Sequence, residues 1–299
     1  MSGESVFQQV SDGLADAVEA AGRSIVAVDG RRRMPASGFV WSADGVIVTA
    51  DHVLERDDDV TVGLPDGTWR NASILGRDPG SDIAVLRADG EGFAPAALDD
   101  DARVGMLVVA VGRPGRDLGA SLGIVSALGD ASASHRGSAV GPWVRSDVEP
   151  LPGFSGGGLV SPAGRLVGML TSHFGPGGFA LRPPTLRRVV GDILSIGRVR
   201  RAFLGITSQP VQLPDSVRAA VGGTRESGLL VMGVQSDGPA ASAGLMVGDI
   251  LVALDDQPIA DTRDLRALLR AESVGQTRVA TIVRGGVVVR VSVTIGEAT

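Results

Sequence analysis

The sequence predicts a mainly β chain of two domains, an antiparallel barrel or sandwich followed by a smaller α+β domain. Three observations carry this expectation. Short β-branched runs, broken by Asp-Gly and Gly-rich turns, fill residues 24–182, the pattern of an all-β domain. A proline-started segment of helical period follows, and then a new series of strands with a helix and a Gly-Gly hairpin begins near residue 202. With 299 residues, 43% of them hydrophobic, the chain is long enough to bury a core in each domain.

Taken in order, Phe7, Val10, Leu14 and Val18 recur at helical spacing, so an amphipathic helix is expected over about residues 4–21. Strands are expected in SIVAV, SGFVWS, VIVTA, DVTVGL, DIAVLRA, MLVVAVG, LGIVSALG and LVSPAGRLVGML. Asp44-Gly45 and Asp66-Gly67 separate neighbouring runs as hairpin turns, which makes the sheet antiparallel. Pro183 and Pro184 open a helix with apolar positions 186, 189, 190, 193 and 194. The second domain then holds GLLVMGV, DILVALDD, the helix TRDLRALLRAE and a hairpin about Gly285-Gly286. Domain boundaries are expected at 1–199 and 200–299.

Composition removes several classes of function. The 34 acidic against 28 basic side chains leave an excess of six negative charges, which disfavours nucleic acid or an anionic membrane as partner. There is no cysteine, hence no disulfide framework, thiol nucleophile or thiolate metal site. All the basic residues are arginine, and no function is attached to that. No run approaches the length of a membrane span. The first residues carry Glu4 and Asp12 and no base before Arg23, unlike a secretory signal. The expected location is therefore cytoplasmic, or periplasmic or otherwise extracytoplasmic if an export segment has been trimmed.

Three segments carry chemistry: TADHVL with His52, SDIAVLRA with Asp82, and PGFSGGGL with Ser155. Singly, each residue has an ordinary structural reading, as a partly buried histidine, a turn former and a loop serine. Together they supply a hydroxyl, a base to take its proton and an acid to orient the base. The glycines around Ser155 free the backbone to aim NH groups at a substrate carbonyl. Gly153-x-Ser155-x-Gly157 also fits the nucleophile elbow of α/β-hydrolases, but those enzymes run serine, acid, histidine and place a helix after the serine. Here His173 is the only histidine after Ser155, no acid lies between them, and a strand pattern follows. The order His52, Asp82, Ser155 fits the two-barrel proteases instead.

SGFVWSADGVIVTADHVL, DPGSDIAVLRA, VGRPGRDLGASLGIVSALG and GFSGGGLVSPAGRLVGML together resemble the HtrA/DegP-type serine proteases, the trypsin-like branch with a C-terminal PDZ domain. The resemblance implies a double six-stranded antiparallel β-barrel protease domain followed by an α+β PDZ domain. It implies His52 as general base, Asp82 as orienting acid, Ser155 as nucleophile, and the NH groups of Gly153 and Ser155 as the oxyanion hole, with Asp78 only a turn former. The sequence departs from its relatives at Phe154, where asparagine is usual, and at Gly158, where proline is usual. It departs again at Glu149, six residues before Ser155, a position at the base of the primary specificity pocket. A carboxylate turned inward there selects basic residues; turned outward beside Pro150 it leaves an apolar pocket, which is the favoured expectation.

In the second domain, Phe203-Leu204-Gly205-Ile206 resembles the carboxylate-binding loop of PDZ domains, whose NH groups hold a peptide C-terminus while the next strand pairs with the peptide. Leu265, Leu268 and Leu269 share a helical face, with core as their default place. His135 and His173 have no metal-like spacing, so neither is expected to be a ligand and no cofactor is implied. Arg136 sits roughly where relatives carry an arginine that senses PDZ occupancy, though a solvated arginine accounts for it better. The resemblance implies an ATP-independent endopeptidase acting on unfolded or damaged protein, its PDZ domain binding peptide C-termini, and a homotrimer contact through the N-terminal segment about Phe7. A helix packed on its own barrel explains Phe7 equally well. The alternative reading is a protease-like chaperone or peptide-binding scaffold with little turnover.

Overall fold

The structure is a computed structural model describing residues 5–129, 132–133, 139–175, 177–200, 202–220, 226–269 and 273–298. His135 and Arg136 lie outside the described residues. The chain divides into two compact units at the Val199–Arg200 junction.

In the first unit, helix α1 (Val6–Gly22) starts at Ser5, whose side chain accepts from the Gln8 NH at 3.2 Å. Only its second half meets the barrel. Ala17 and Ala21 are buried and Leu14 and Val18 pack on the core, whereas Phe7 and Val10 are exposed. The helical period was therefore legible, but not which end of the stripe finds a partner. Strands β1 (Ile25–Asp29), β2 (Ala36–Ser42), β3 (Val46–Thr49), β4 (Val60–Gly63), β5 (Trp69–Asp78) and β6 (Ile83–Ala88) close an antiparallel barrel in the order β1-β2-β3-β6-β5-β4. A second barrel is made by β7 (Leu107–Gly112), β8 (Gly119–Gly129), β9 (Trp143–Ser146), β10 (Gly158–Val160), β11 (Leu166–Leu170) and β12 (Gly178–Leu181), ordered β9-β12-β11-β10-β7-β8.

The second barrel explains a sequence feature that strict alternation does not. Strand β7 reads as a continuous apolar run because both its faces are covered: Val108 and Ala110 fill its own barrel, while Val109 and Val111 join the cluster containing the first barrel's Phe39, Ile47 and Leu86. The two barrels thus share apolar packing, and the cleft between them is held by core residues. Helix α2 (Pro183–Ile196) lays Leu186, Val189, Val190 and Ile193 on that cluster and ends at Gly197, in the left-handed region at φ 75°. Leu194, expected on its apolar face, is exposed.

In the second unit, β13 (Ile206–Gln212), β14 (Ser227–Val234), β15 (Ile250–Leu254), β16 (Thr277–Arg284) and β17 (Val287–Thr294) form one antiparallel sheet in chain order, flanked by helix α3 (Thr262–Leu268). The β16–β17 turn needs two consecutive positive φ angles, and Gly285 and Gly286 take 57° and 85°. Leu265 is buried, and Leu268 and Leu269 pack against the same core. Among the described residues no helix is long and apolar enough to cross a membrane.

An ion pair between a buried Asp249 and a partly exposed Arg284 joins two parts of this second unit. Asp249, 2% exposed, accepts two hydrogen bonds from Arg284 at 2.8 Å and one from the Met246 NH. Burial alone would raise its pKa, but the guanidinium and the NH group outweigh it and hold the carboxyl below its ordinary value. A depressed carboxyl contributes stability above its unfolded pKa, near 4, and that contribution is lost as pH falls through the lower folded value. Asp249→Ala is expected to cost about 1–2 kcal/mol at neutral pH, discounted because Arg284 is partly exposed. The difference from wild type shrinks below about pH 4. Urea titration with hydrogen exchange read on strand Ile250–Leu254 checks both statements.

Candidate active site

His52 lies in a single 3-10 turn, Asp51–Val53, immediately after β3. Asp82 precedes β6 with its backbone in the left-handed region at φ 56°, a conformation that aspartate tolerates better than most residues. This places the buried carboxylate, 1% exposed, beneath the imidazole. Its Oδ2 accepts from His52 Nδ1 at 2.8 Å, and its Oδ1 accepts from the His52 backbone NH at 2.9 Å. The Thr171 hydroxyl also donates to Oδ2. Nδ1 is thereby the protonated nitrogen, and Nε2 is left as the basic one.

Ser155 lies between β9 and β10. Its Oγ is 3.3 Å from Ser172 Oγ, which is 3.4 Å from His52 Nε2. The Ser172 hydroxyl thus bridges base and serine, and among the described residues no direct hydrogen bond joins His52 Nε2 to Ser155 Oγ.

The loop around Ser155 is built by its own sequence. Leu151-Pro152-Gly153-Phe154 makes a tight turn in which the Phe154 NH donates to the Leu151 carbonyl at 3.1 Å and Gly153 sits at φ 86°. Proline second and glycine third is what a type II turn requires. Ser37 clasps the loop from β2: its hydroxyl donates to the Gly153 carbonyl at 2.8 Å and its NH to the Ser155 carbonyl at 3.2 Å. With both carbonyls turned toward Ser37, the NH groups of Gly153 and Ser155 have no protein acceptor among the described residues. Phe154 is 1% exposed, and a Cβ added at Gly112 or Gly119 would meet its ring at 2.5 and 2.9 Å. The departure at Phe154 therefore seats an aromatic anchor in the second barrel, in space that two glycines leave open. Ser37 and Thr171 carried no signal in the sequence, because their partners are distant along the chain.

A cleft of about 490 Å³ contains His52 and Ser155. Pro150, Leu151, Pro152, Phe154, Leu170 and Gly177 line one part of it, and Arg31, Arg33 and Met34 another. Glu149 is exposed and absent from this lining, so its carboxylate stands outside the cleft that its neighbour Pro150 borders. His173 stands closer to the other site residues than its sequence spacing suggests. Spacing set it apart from acidic residues, yet folding brings its ring 6.3 Å from that of His52, and His52, Asp82 and His173 offer three atoms within 4.8 Å of one another. Asp82 already accepts from His52 and Thr171, so a metal ion there would have to displace the His52–Asp82 hydrogen bond.

In the second unit, the Leu204 carbonyl accepts from the Ala240 NH and the Gly205 carbonyl from the Gln235 NH, both at 2.9 Å, with Gly205 at φ 80°. Turning these carbonyls inward leaves the NH groups of Leu204 and Gly205 without a protein acceptor among the described residues. Leu204 is buried; Phe203 and Ile206 are partly buried. Strand β13, which begins at Ile206, is an edge strand bonded to β14 alone along the sheet.

Comparison with known proteins adds a lineage to this geometry. Residues 36–169 match the trypsin-like peptidase domain, and residues 202–295 match the PDZ domain. The chain is 36% identical over 272 residues to a probable periplasmic serine endoprotease DegP-like of Brucella suis, covering 87% of this chain and 52% of that protein. The HtrA-type protease AlgW with decapeptide superposes with a TM-score of 0.80 at 26% identity, covering 96% of this chain and 99% of the other. The chain carries a trypsin-like peptidase domain followed by a PDZ domain, and in this it is similar to the HtrA/DegP-type proteases. A serine endoprotease from Yersinia pestis superposes with a TM-score of 0.78 at 28% identity, covering 96% of this chain and 98% of the other. The chain spans about half the length of the curated relatives it matches. The double-barrel architecture expected from the sequence agrees with these structures, and the "periplasmic" in the relatives' names gives the cytoplasmic expectation no support.

The anchoring of the Ser155 loop by Phe154 has a measurable consequence. Phe154→Ala is expected to destabilise the first unit by about 3–5 kcal/mol, the usual cost of emptying a buried phenylalanine site. Trp41, Trp69 and Trp143, the three tryptophans of the chain, all belong to this unit, so urea unfolding followed by tryptophan fluorescence reads it directly.

Proposed function

We propose that the chain is a serine endopeptidase that cleaves unfolded or damaged polypeptides without ATP, in the periplasm or another compartment outside the cytoplasm. The carrying observation is the buried Asp82 carboxylate fixing His52 with Nε2 toward Ser172 and Ser155. As the Ser172 hydroxyl yields its place, Ser155 Oγ transfers its proton to Nε2 and attacks the scissile carbonyl. Asp82 stabilises the imidazolium that forms. The developing oxyanion takes the free NH groups of Gly153 and Ser155, each such donor being worth about 2.7–4 kcal/mol in the transition state. His52 then protonates the leaving amine, and a water that it activates hydrolyses the acyl-enzyme. The apolar surface of Pro150 and Leu151, with Glu149 outside, suits a small aliphatic residue at the cleaved position.

The bridging Ser172 favours a second reading, a peptide-holding scaffold with slow turnover, and one assay separates the two. On unfolded casein, Ser155→Ala and His52→Ala are expected to lower turnover by about 10⁴-fold or more, with Asp82→Asn severe but less complete. Wild-type turnover no greater than that of Ser155→Ala would leave the scaffold reading.

The PDZ domain binds peptides with a free apolar C-terminus. The Leu204 and Gly205 NH groups hold the carboxylate, and the open edge of β13 adds the peptide as a further strand. The full chain is expected to bind such a peptide about tenfold or more tightly than its amidated form, since amidation removes the charged acceptor. Fluorescence anisotropy of the labelled pair measures this; equal affinities would remove the carboxylate-loop assignment.

A further inference from the structure

The cleft that holds His52 and Ser155 has two chemically different walls. Pro150 and Leu151, from the loop before Ser155, make an apolar one, while Arg31, Arg33 and Met34 come from the β1–β2 connection of the first barrel, whose Met34 and Pro35 lie against Gly153. That connection reads Gly-Arg-Arg-Arg-Met-Pro at 30–35. In a chain with a net charge of −6, two arginines in the lining of the cleft are a local feature that overall composition conceals.

Arg31 is tied to its own loop, and the two acids whose charges act on it, Glu55 and Asp29, lie outside the cleft lining. Arg31 is partly buried, and its Nε donates to the Met34 carbonyl at 2.7 Å while its second terminal nitrogen donates to the Pro35 carbonyl at 3.3 Å. These bonds shape the loop without using a carboxylate. Of the nearby acids, Asp29 is paired with Arg56 at 3.2 Å, and Glu55 accepts from the Arg32 backbone NH at 3.3 Å. Neither acid lines the cleft. Arg33 is exposed and has no hydrogen bond or ion pair among the described residues.

Reaction geometry sets the side of the substrate that meets these charges. On the endopeptidase reading the leaving amine must come to His52, which is carried by the first barrel. The arginine-bearing loop belongs to that same barrel. We propose, on the basis of the endopeptidase reading above, that Arg31 and Arg33 form an anion-selective subsite. It takes an aspartate or glutamate side chain at the first or second residue after the scissile bond, so the substrates are polypeptides with an acidic residue just beyond the cleaved position.

The test is a set of peptides sharing an aliphatic cleaved residue and differing only at the first and second following positions, which carry Glu, Ala or Lys. With the wild-type chain, kcat/KM for Glu is expected about five- to tenfold above Ala, with Lys below Ala. Because the subsite is open to solvent, the spread should fall to about twofold at roughly 0.5 M NaCl. Arg33→Glu should invert the Glu and Lys order and Arg33→Lys should keep it, so a folding defect cannot imitate the result. Equal rates for Glu and Ala peptides, or a Glu preference unchanged in Arg33→Glu, would overturn the subsite. If the wild-type chain cleaves none of the peptides, the endopeptidase reading fails separately. The subsite is then read from dissociation constants of the same peptides with the Ser155→Ala chain, where the same order is expected and equal constants reject it.

Discussion

A carboxylate at 1% exposure is expensive unless its oxygens are satisfied, and Asp82 meets that requirement by recruiting groups from distant parts of the chain. The His52 backbone and ring, both on the turn after β3, supply two of its partners, and Thr171, at the end of β11 in the other barrel, supplies the third. The Asp51 NH also bonds to the Asp82 carbonyl at 3.2 Å. The same hydrogen bonds that make the buried charge tolerable therefore orient the His52 ring and tie the two barrels together beside the cleft. Stability and site geometry share this constraint, so neither can be altered at Asp82 without the other.

The loop of Ser155 is held on two sides by different physics. Polar bonds from Ser37 direct the Gly153 and Ser155 carbonyls, and apolar burial of Phe154 against Gly112 and Gly119 holds the opposite face. Gly156, at φ 87°, lies so close to Ser37 that an added Cβ would fall 2.1 Å from the Ser37 carbonyl oxygen. The clasp therefore demands a bare backbone there. The Phe154 ring thus gives the loop an apolar anchor beside its polar one.

The fold was largely legible in the sequence. Hairpin turns at Asp44-Gly45 and Gly285-Gly286 name their own backbone angles, and the β-branched runs name the strands. Less could be read where a residue's surroundings are assembled from afar. Phe7 shares the helical period of Leu14 but faces solvent, because the barrel reaches only the later turns of α1. His173 has no acidic neighbour in sequence and stands beside His52 in space.

By itself the sequence determined the element types, the antiparallel hairpins and the order His52, Asp82, Ser155, since each rests on local stereochemistry or on residue identity. Only the tertiary structure decided that Ser172 bridges the base and the serine, that Glu149 stays outside the cleft while Arg31 and Arg33 line it, and that Ser37 and Thr171 complete the site. Those relations depend on closing two barrels against each other, and such long-range contacts leave no period, spacing or turn chemistry along the chain.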